Sequence, residues 1–161
     1  MLDAVLFDLD GTLADTAPDL CATVNILLVD EGRPQQPFSR LRPHTSSGVR
    51  GLLGAGFGIA PADDDYERLA NRFLEIYSAR LCELSTLFDG IPALLDTLEV
   101  QGIAWGIVTN KRTRFTDPLV AALGLSPRTT CVVSGDTTAE AKPSPLDRKS
   151  TRLNSSHRCI S

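Results

Sequence analysis

No apolar run in the 161 residues is long enough to span a bilayer, which excludes an ordinary transmembrane helix and any membrane role that needs one. The sequence enters a strand pattern at once, without a basic leader, so no signal peptide is expected and the cytoplasm is the expected compartment. Cysteine is sparse, and Cys21, Cys82, Cys131 and Cys159 show no CxxC or metal-ligand spacing. They read as small core fillers in a reducing environment. Positive charge is also short. The net charge is −4, and because residues 147–161 sum to +3 the first 146 carry −7. A body this acidic argues against nucleic acid as a partner. With 42% hydrophobic and 22% charged residues the composition is globular, and the length suits one ordinary domain or a core with a small insert.

The most informative segment is Val5-Leu6-Phe7-Asp8-Leu9-Asp10-Gly11-Thr12-Leu13. Residues 4–7 read as a short buried strand. In an extended chain residues i and i+2 point to one side, so Asp8 and Asp10 can approach one small volume at the strand's C-terminal end. Open α/β sheets place ligands at that edge. Two carboxylates brought together repel, and are tolerated best when they share a cation or a proton. The other reading of these residues is a strand leaving into a solvated Asp-Gly turn.

Downstream the periodicity changes. Residues 19–28 show helical spacing behind Pro18. Residues 32–43, with three prolines, read as a loop. A helix is expected over 47–53, broken by Gly54-Ala55-Gly56-Phe57-Gly58, and a long amphipathic helix over 66–84. Residues 18–86 thus read as helical throughout. A helix after Asp89, a strand over 103–108, a helix over 113–123 ending at Gly124, and a strand over 130–134 complete the pattern. Alternating strands and helices imply a parallel sheet.

Three stretches, in order over residues 2–146, resemble the haloacid dehalogenase superfamily. Asp8-Leu9-Asp10-Gly11-Thr12 resembles its motif I, Gly106-Ile107-Val108-Thr109-Asn110-Lys111 its motif II, and Lys142-Pro143-Ser144-Pro145 its motif III. The wording is most similar to that of bacterial phosphoglycolate phosphatases. The resemblance implies an α/β fold, a Rossmannoid parallel sheet with an inserted all-helical cap. The core is expected in residues 1–16 and 87–146, the cap in 17–86.

The same resemblance implies hydrolysis of a small-molecule phosphate ester, 2-phosphoglycolate foremost, by a monomer or homodimer. Asp8 would be the nucleophile and Asp10 the general acid and base. Mg²⁺ would be held by Asp8 and the backbone carbonyl of Asp10. Thr109 either holds a phosphoryl oxygen or caps a turn, and Asn110 would add a donor. Lys142 is either a phosphoryl-neutralising cation or a solvated lysine. Gly48 and Arg50, beside Ser47, fall where related caps carry a substrate loop. Arg50 suits a carboxylate through its bidentate fork, and is otherwise a surface arginine. Asp136 is either near motif III in function or a turn residue.

The family's fourth motif, a Gly-Asp followed by another acid, is absent after Lys142. The sheet is therefore expected to be incomplete, and the chain by itself inactive or nearly so. Residues 147–161 lack hydrophobic periodicity and resemble the in-frame translation of a sequencing adapter. They are expected to be a non-native, disordered tail, and His157 and Cys159 are given no role. A dehalogenase would need neither a metal nor Asp10. A sugar-phosphate mutase of the β-phosphoglucomutase type, an N-acetylmuramic acid 6-phosphate phosphatase, and a fragment that binds Mg²⁺ or phosphate without turnover remain as alternatives.

Overall fold

The computed structural model describes residues 3–137. Lys142, the motif III stretch and residues 147–161 lie outside the described residues. The described residues divide into two compact units, one holding residues 3–14 and 87–137, the other Asp15–Thr86.

The first unit is built on a three-stranded parallel sheet in the order β1-β4-β5, with β1 at Ala4–Phe7, β4 at Ala104–Val108 and β5 at Cys131–Val133. Helix α5 (Ile91–Val100) precedes β4, and α6 (Thr113–Ala122) links β4 to β5. Trp105, fully enclosed, sets its ring edge-on to Phe7 at 6.3 Å. Its indole N–H donates to Glu99 on α5, tying helix to sheet. Ile107, Leu119 and Leu95 are each 0% exposed. A large apolar side chain so enclosed stabilises the fold by roughly 1.5–3 kcal/mol.

Strand β1 does not match the expectation of a buried strand. Ala4 and Leu6 are exposed and Val5 and Phe7 half-buried. The reason is topological. Among the described residues β1 is an edge strand, paired only with β4, so one side of its apolar run is left open.

The second unit is helical: α1 (Ala17–Asp30), α2 (Phe38–Leu41), a 3₁₀ segment at Arg42–Ser47, α3 (Gly48–Phe57) and α4 (Tyr66–Ala79). Val24, Leu27 and Leu28 of α1, Leu52 and Leu53 of α3, and Phe73 of α4 are each 0% exposed and form its core. Two-residue strands lie at the chain's two passages between units, β2 at Ala14–Asp15 and β3 at Thr86–Leu87.

Three expectations are corrected here. Helix α3 does not break at Gly54 but continues to Phe57 and stops at Gly58, which is left-handed at φ 73°. Gly56 serves packing: a Cβ on it would lie 3.1 Å from Val24 Cγ2, so its bare backbone lets α3 press against α1. Helix α4 ends at Ala79 rather than at residue 84, and Cys82 just beyond it is itself left-handed at φ 64°. The segment following α4 is instead claimed by Asp19. That buried carboxylate accepts the Leu84 and Ser85 amides at 2.9 and 2.8 Å and the Ser85 hydroxyl. Finally, α2 interrupts the loop expected over 32–43. Of the cysteines, Cys21 is a core residue as expected, while Cys82 and Cys131 are only half-buried.

Candidate active site at the C-terminal edge of the sheet

Register places the site. Phe7 lies opposite Ile107, and Val108 opposite Val133. The residues that follow therefore leave the sheet along one edge: Asp8–Asp10 after β1, Thr109–Lys111 after β4 and Ser134–Asp136 after β5. Ligand sites of parallel α/β sheets form at this edge because all the strands end there and their loops converge.

The aspartates owe their direction to the residue between them. Strand β1 ends at Phe7, so Asp8 and Asp10 sit in the loop immediately after it, not in the strand. Leu9 is 0% exposed while Asp8 is exposed and Asp10 half-buried, so the alternation of an extended chain persists through this loop. The turn is closed by the Leu13 and Ala14 amides, which both donate to the Leu9 carbonyl, and by the Gly11 amide donating to Ala14. Gly11 is left-handed at φ 76°, a conformation that a side chain would oppose. Leu13, also 0% exposed, anchors the far end.

After β4 the backbone is held from several directions. Thr109 is buried, and its N–H donates to the Val133 carbonyl at 2.9 Å. Its hydroxyl oxygen accepts the Lys111 amide at 3.2 Å. Capping the turn thus uses an acceptor position of Thr109, and the hydroxyl proton is a separate function. The Lys111 carbonyl accepts from the Gly135 amide at 2.9 Å and the Thr116 hydroxyl at 3.2 Å. Asn110 is exposed at the turn's tip.

Lys111 brings the two loops together. Its Nζ stands 2.9 Å from Asp10 Oδ1, with the lysine side chain 11% exposed and that of Asp10 30%. The motif II resemblance includes Lys111 but implies no role for it. Asp136, left open there between two readings, is a cap of α6. Its Oδ1 accepts the Thr113 amide at 2.8 Å and the Thr113 hydroxyl, and these bonds hold its carboxyl below the usual carboxylate range. Gly48, left-handed at φ 58°, and Arg50, exposed, belong to the helical unit at the start of α3.

Among the described residues no group of three His, Cys, Asp or Glu side chains is gathered for a metal. Among the described residues, the Asp8 and Asp10 carboxylates and neighbouring backbone carbonyls offer oxygen donors at this edge, the Asp136 carboxylate being used by Thr113. This all-oxygen set suits Mg²⁺, which accepts few carboxylates and keeps several waters. No described helix is long and apolar enough to cross a membrane.

The family model described as haloacid dehalogenase-like hydrolase matches residues 5–155. The chain belongs to the haloacid dehalogenase-like hydrolases. It is 45% identical over 143 residues to a phosphoglycolate phosphatase of Xanthomonas campestris, covering 89% of this chain and 64% of that protein. It is 40% identical over 144 residues to an N-acetylmuramic acid 6-phosphate phosphatase of Pseudomonas aeruginosa, with the same 89% and 64% coverage. It spans less than two thirds of the length of these relatives. A crystal structure described as a predicted phosphoglycolate phosphatase from Haemophilus somnus superposes with a TM-score of 0.77 at 26% identity, over 92% of this chain and 69% of that one. A Geobacter sulfurreducens hydrolase of the same superfamily shares the fold at 22% identity, with a TM-score of 0.76 over 94% of this chain and 71% of that one.

Proposed function

We propose that this chain carries the catalytic part of a Mg²⁺-dependent phosphatase acting on a small phosphate monoester, with 2-phosphoglycolate as the preferred substrate. The observation that carries the reading is the pair Asp8 and Asp10 at the sheet edge where the motif II turn also ends, in a chain of this family.

An Asp8 carboxylate oxygen attacks phosphorus. The new O–P bond forms as the bond to the substrate's alkoxide oxygen breaks, leaving an aspartyl-phosphate. Asp10 gives its proton to the departing alkoxide, then takes one from the water that attacks phosphorus and releases inorganic phosphate, restoring Asp8. The Thr109 hydroxyl and Asn110 hold phosphoryl oxygens, and Lys142 neutralises charge there. Asp8 and the Asp10 carbonyl would hold Mg²⁺, which when bound would neutralise phosphoryl charge. The helical unit, Asp15–Thr86, is taken as the cap, where Gly48 and Arg50 select the substrate through its carboxylate. The protein is read as cytoplasmic, a monomer or homodimer.

A second substrate has specific support. N-acetylmuramic acid 6-phosphate also bears a carboxylate, so Arg50 does not separate the two, and the Pseudomonas relative is named for it. The test is phosphate release from both esters, by this chain and by a chimera extended with the remaining C-terminal part of the Xanthomonas enzyme. The chimera is expected to turn over 2-phosphoglycolate faster, to stop in chelator, and to lose activity with Asp8→Asn while its circular dichroism is unchanged. Near-full turnover by Asp8→Asn would refute the covalent mechanism, and full activity in chelator would refute the metal.

A further inference from the structure

Lys111 is the residue of the site that the aspartate chemistry leaves unexplained. A lysine ordinarily keeps its ammonium in water and lays only its stem on the protein. Here the side chain is 11% exposed and its Nζ reaches, at 2.9 Å, a carboxylate 101 positions away in the chain. The backbone behind it is fixed at both ends. Its amide is bound to Thr109 Oγ1, and its carbonyl to the Gly135 amide and the Thr116 hydroxyl. The ammonium is thus delivered to the site by a fixed turn rather than by a mobile arm.

A positive charge at that spot acts with opposite sign on the two kinds of ion that a phosphatase site must receive. It offsets part of the negative charge of Asp8 and Asp10, which weakens their pull on a divalent cation. The same charge lowers the repulsion that an incoming phosphate dianion meets from those carboxylates. At separations of about 4 Å in a half-buried site these effects are large enough to change affinities by about tenfold or more.

We propose that Lys111 is a positioning residue of the phosphate site, holding the Asp10 carboxylate in place and supplying a built-in positive charge that favours the anion over free metal. The proposal rests on the phosphatase reading above and adds a residue to it. A lysine serving only to pin two loops together would leave the balance between cation and anion unchanged.

The test uses the 161-residue chain and two probes, Mg²⁺ alone and inorganic phosphate, each followed by calorimetry on the wild type, Lys111→Met and Lys111→Arg. Near-ultraviolet circular dichroism of Trp105 reports whether each variant keeps its fold. With Lys111→Met, Mg²⁺ is expected to bind about tenfold more tightly and phosphate about tenfold more weakly. Lys111→Arg, which keeps the charge, is expected to stay within about threefold of wild type for both. If Lys111→Met shifts neither ligand, or shifts both in the same direction, the proposal is overturned while the phosphatase reading stands. Should Lys111→Met lose its fold, Lys111→Arg decides: wild-type balance supports a charge role, and a shift of both ligands together refutes it. If the wild type binds neither probe, this inference is overturned, while the phosphatase reading is judged separately by turnover of the chimera.

Discussion

The backbone of Gly135 lies so close to that of Asn110 that a Cβ on the glycine would stand 2.3 Å from the Asn110 carbonyl oxygen and 2.8 Å from its carbon. The loop after β5 is therefore the mould against which the motif II turn is cast, and the Gly135 amide completes the fit by binding the Lys111 carbonyl.

Gly135→Ala is expected to be disruptive for lack of space. The obstructing atoms are backbone and cannot rotate away, so the 109–111 turn must shift. We expect a loss of about 1–3 kcal/mol in urea unfolding, with Lys111 and Asp10 among the most shifted resonances. Wild-type stability with no shift at Asp10 would show that the turn does not depend on this contact.

Asp19 is expected to be the most sensitive polar position of the helical unit. Removing its carboxylate in Asp19→Ala leaves the Leu84 and Ser85 amides and the Ser85 hydroxyl without the acceptor they share. The cost should be about 2–4 kcal/mol, against about 1 kcal/mol for Ser85→Ala, which removes one donor. Equal losses in the two variants would contradict the clamp.

Asp136 should make stability depend on pH in the acid range. The Thr113 hydroxyl and amide lower its pKa from the ordinary 3.8, so the folded state binds its proton less readily than the unfolded state. The contribution is present above that value and is lost as pH falls through the lower, folded one. The stability difference between wild type and Asp136→Ala should therefore be constant from neutral pH to about pH 5 and shrink toward pH 3. A difference that is flat down to pH 2.5 would dissociate the effect from carboxylate charge.

Cys21 should resist alkylation. Burial pushes its thiol from 9.0 up to about 11, which reduces the reactive thiolate about a hundredfold before access is considered. Peptide-mapped iodoacetamide labelling at pH 8 should find Cys21 far slower in the native protein than in urea. Equal rates would place it outside the core.

Where signals are local, the sequence alone sufficed. The alternation Asp8-Leu9-Asp10 orients both carboxylates because one apolar residue between them must be buried, and that holds in the loop after the strand has ended at Phe7, as expected. Gly124 stops α6 as its position implies, at φ 73°. The Gly54–Gly58 stretch misled because glycine is both a breaker and a close-packing residue. Which role applies depends on whether another helix, here α1 with Val24 and Leu28, needs the room. The early end of α4 was likewise invisible, since the carboxylate that claims Leu84 and Ser85 lies 65 residues upstream.

The sequence by itself determined the strand-and-helix alternation, the acidic pair and the family to which they belong, because each is written in residues a few positions apart. Tertiary structure alone decided that β1 lies beside β4 with Phe7 opposite Ile107, that Lys111 reaches Asp10, and that Gly135 shapes the 109–111 turn. Such contacts follow from strand order and register, which depend on how the whole chain buries its apolar surface rather than on any neighbouring residues.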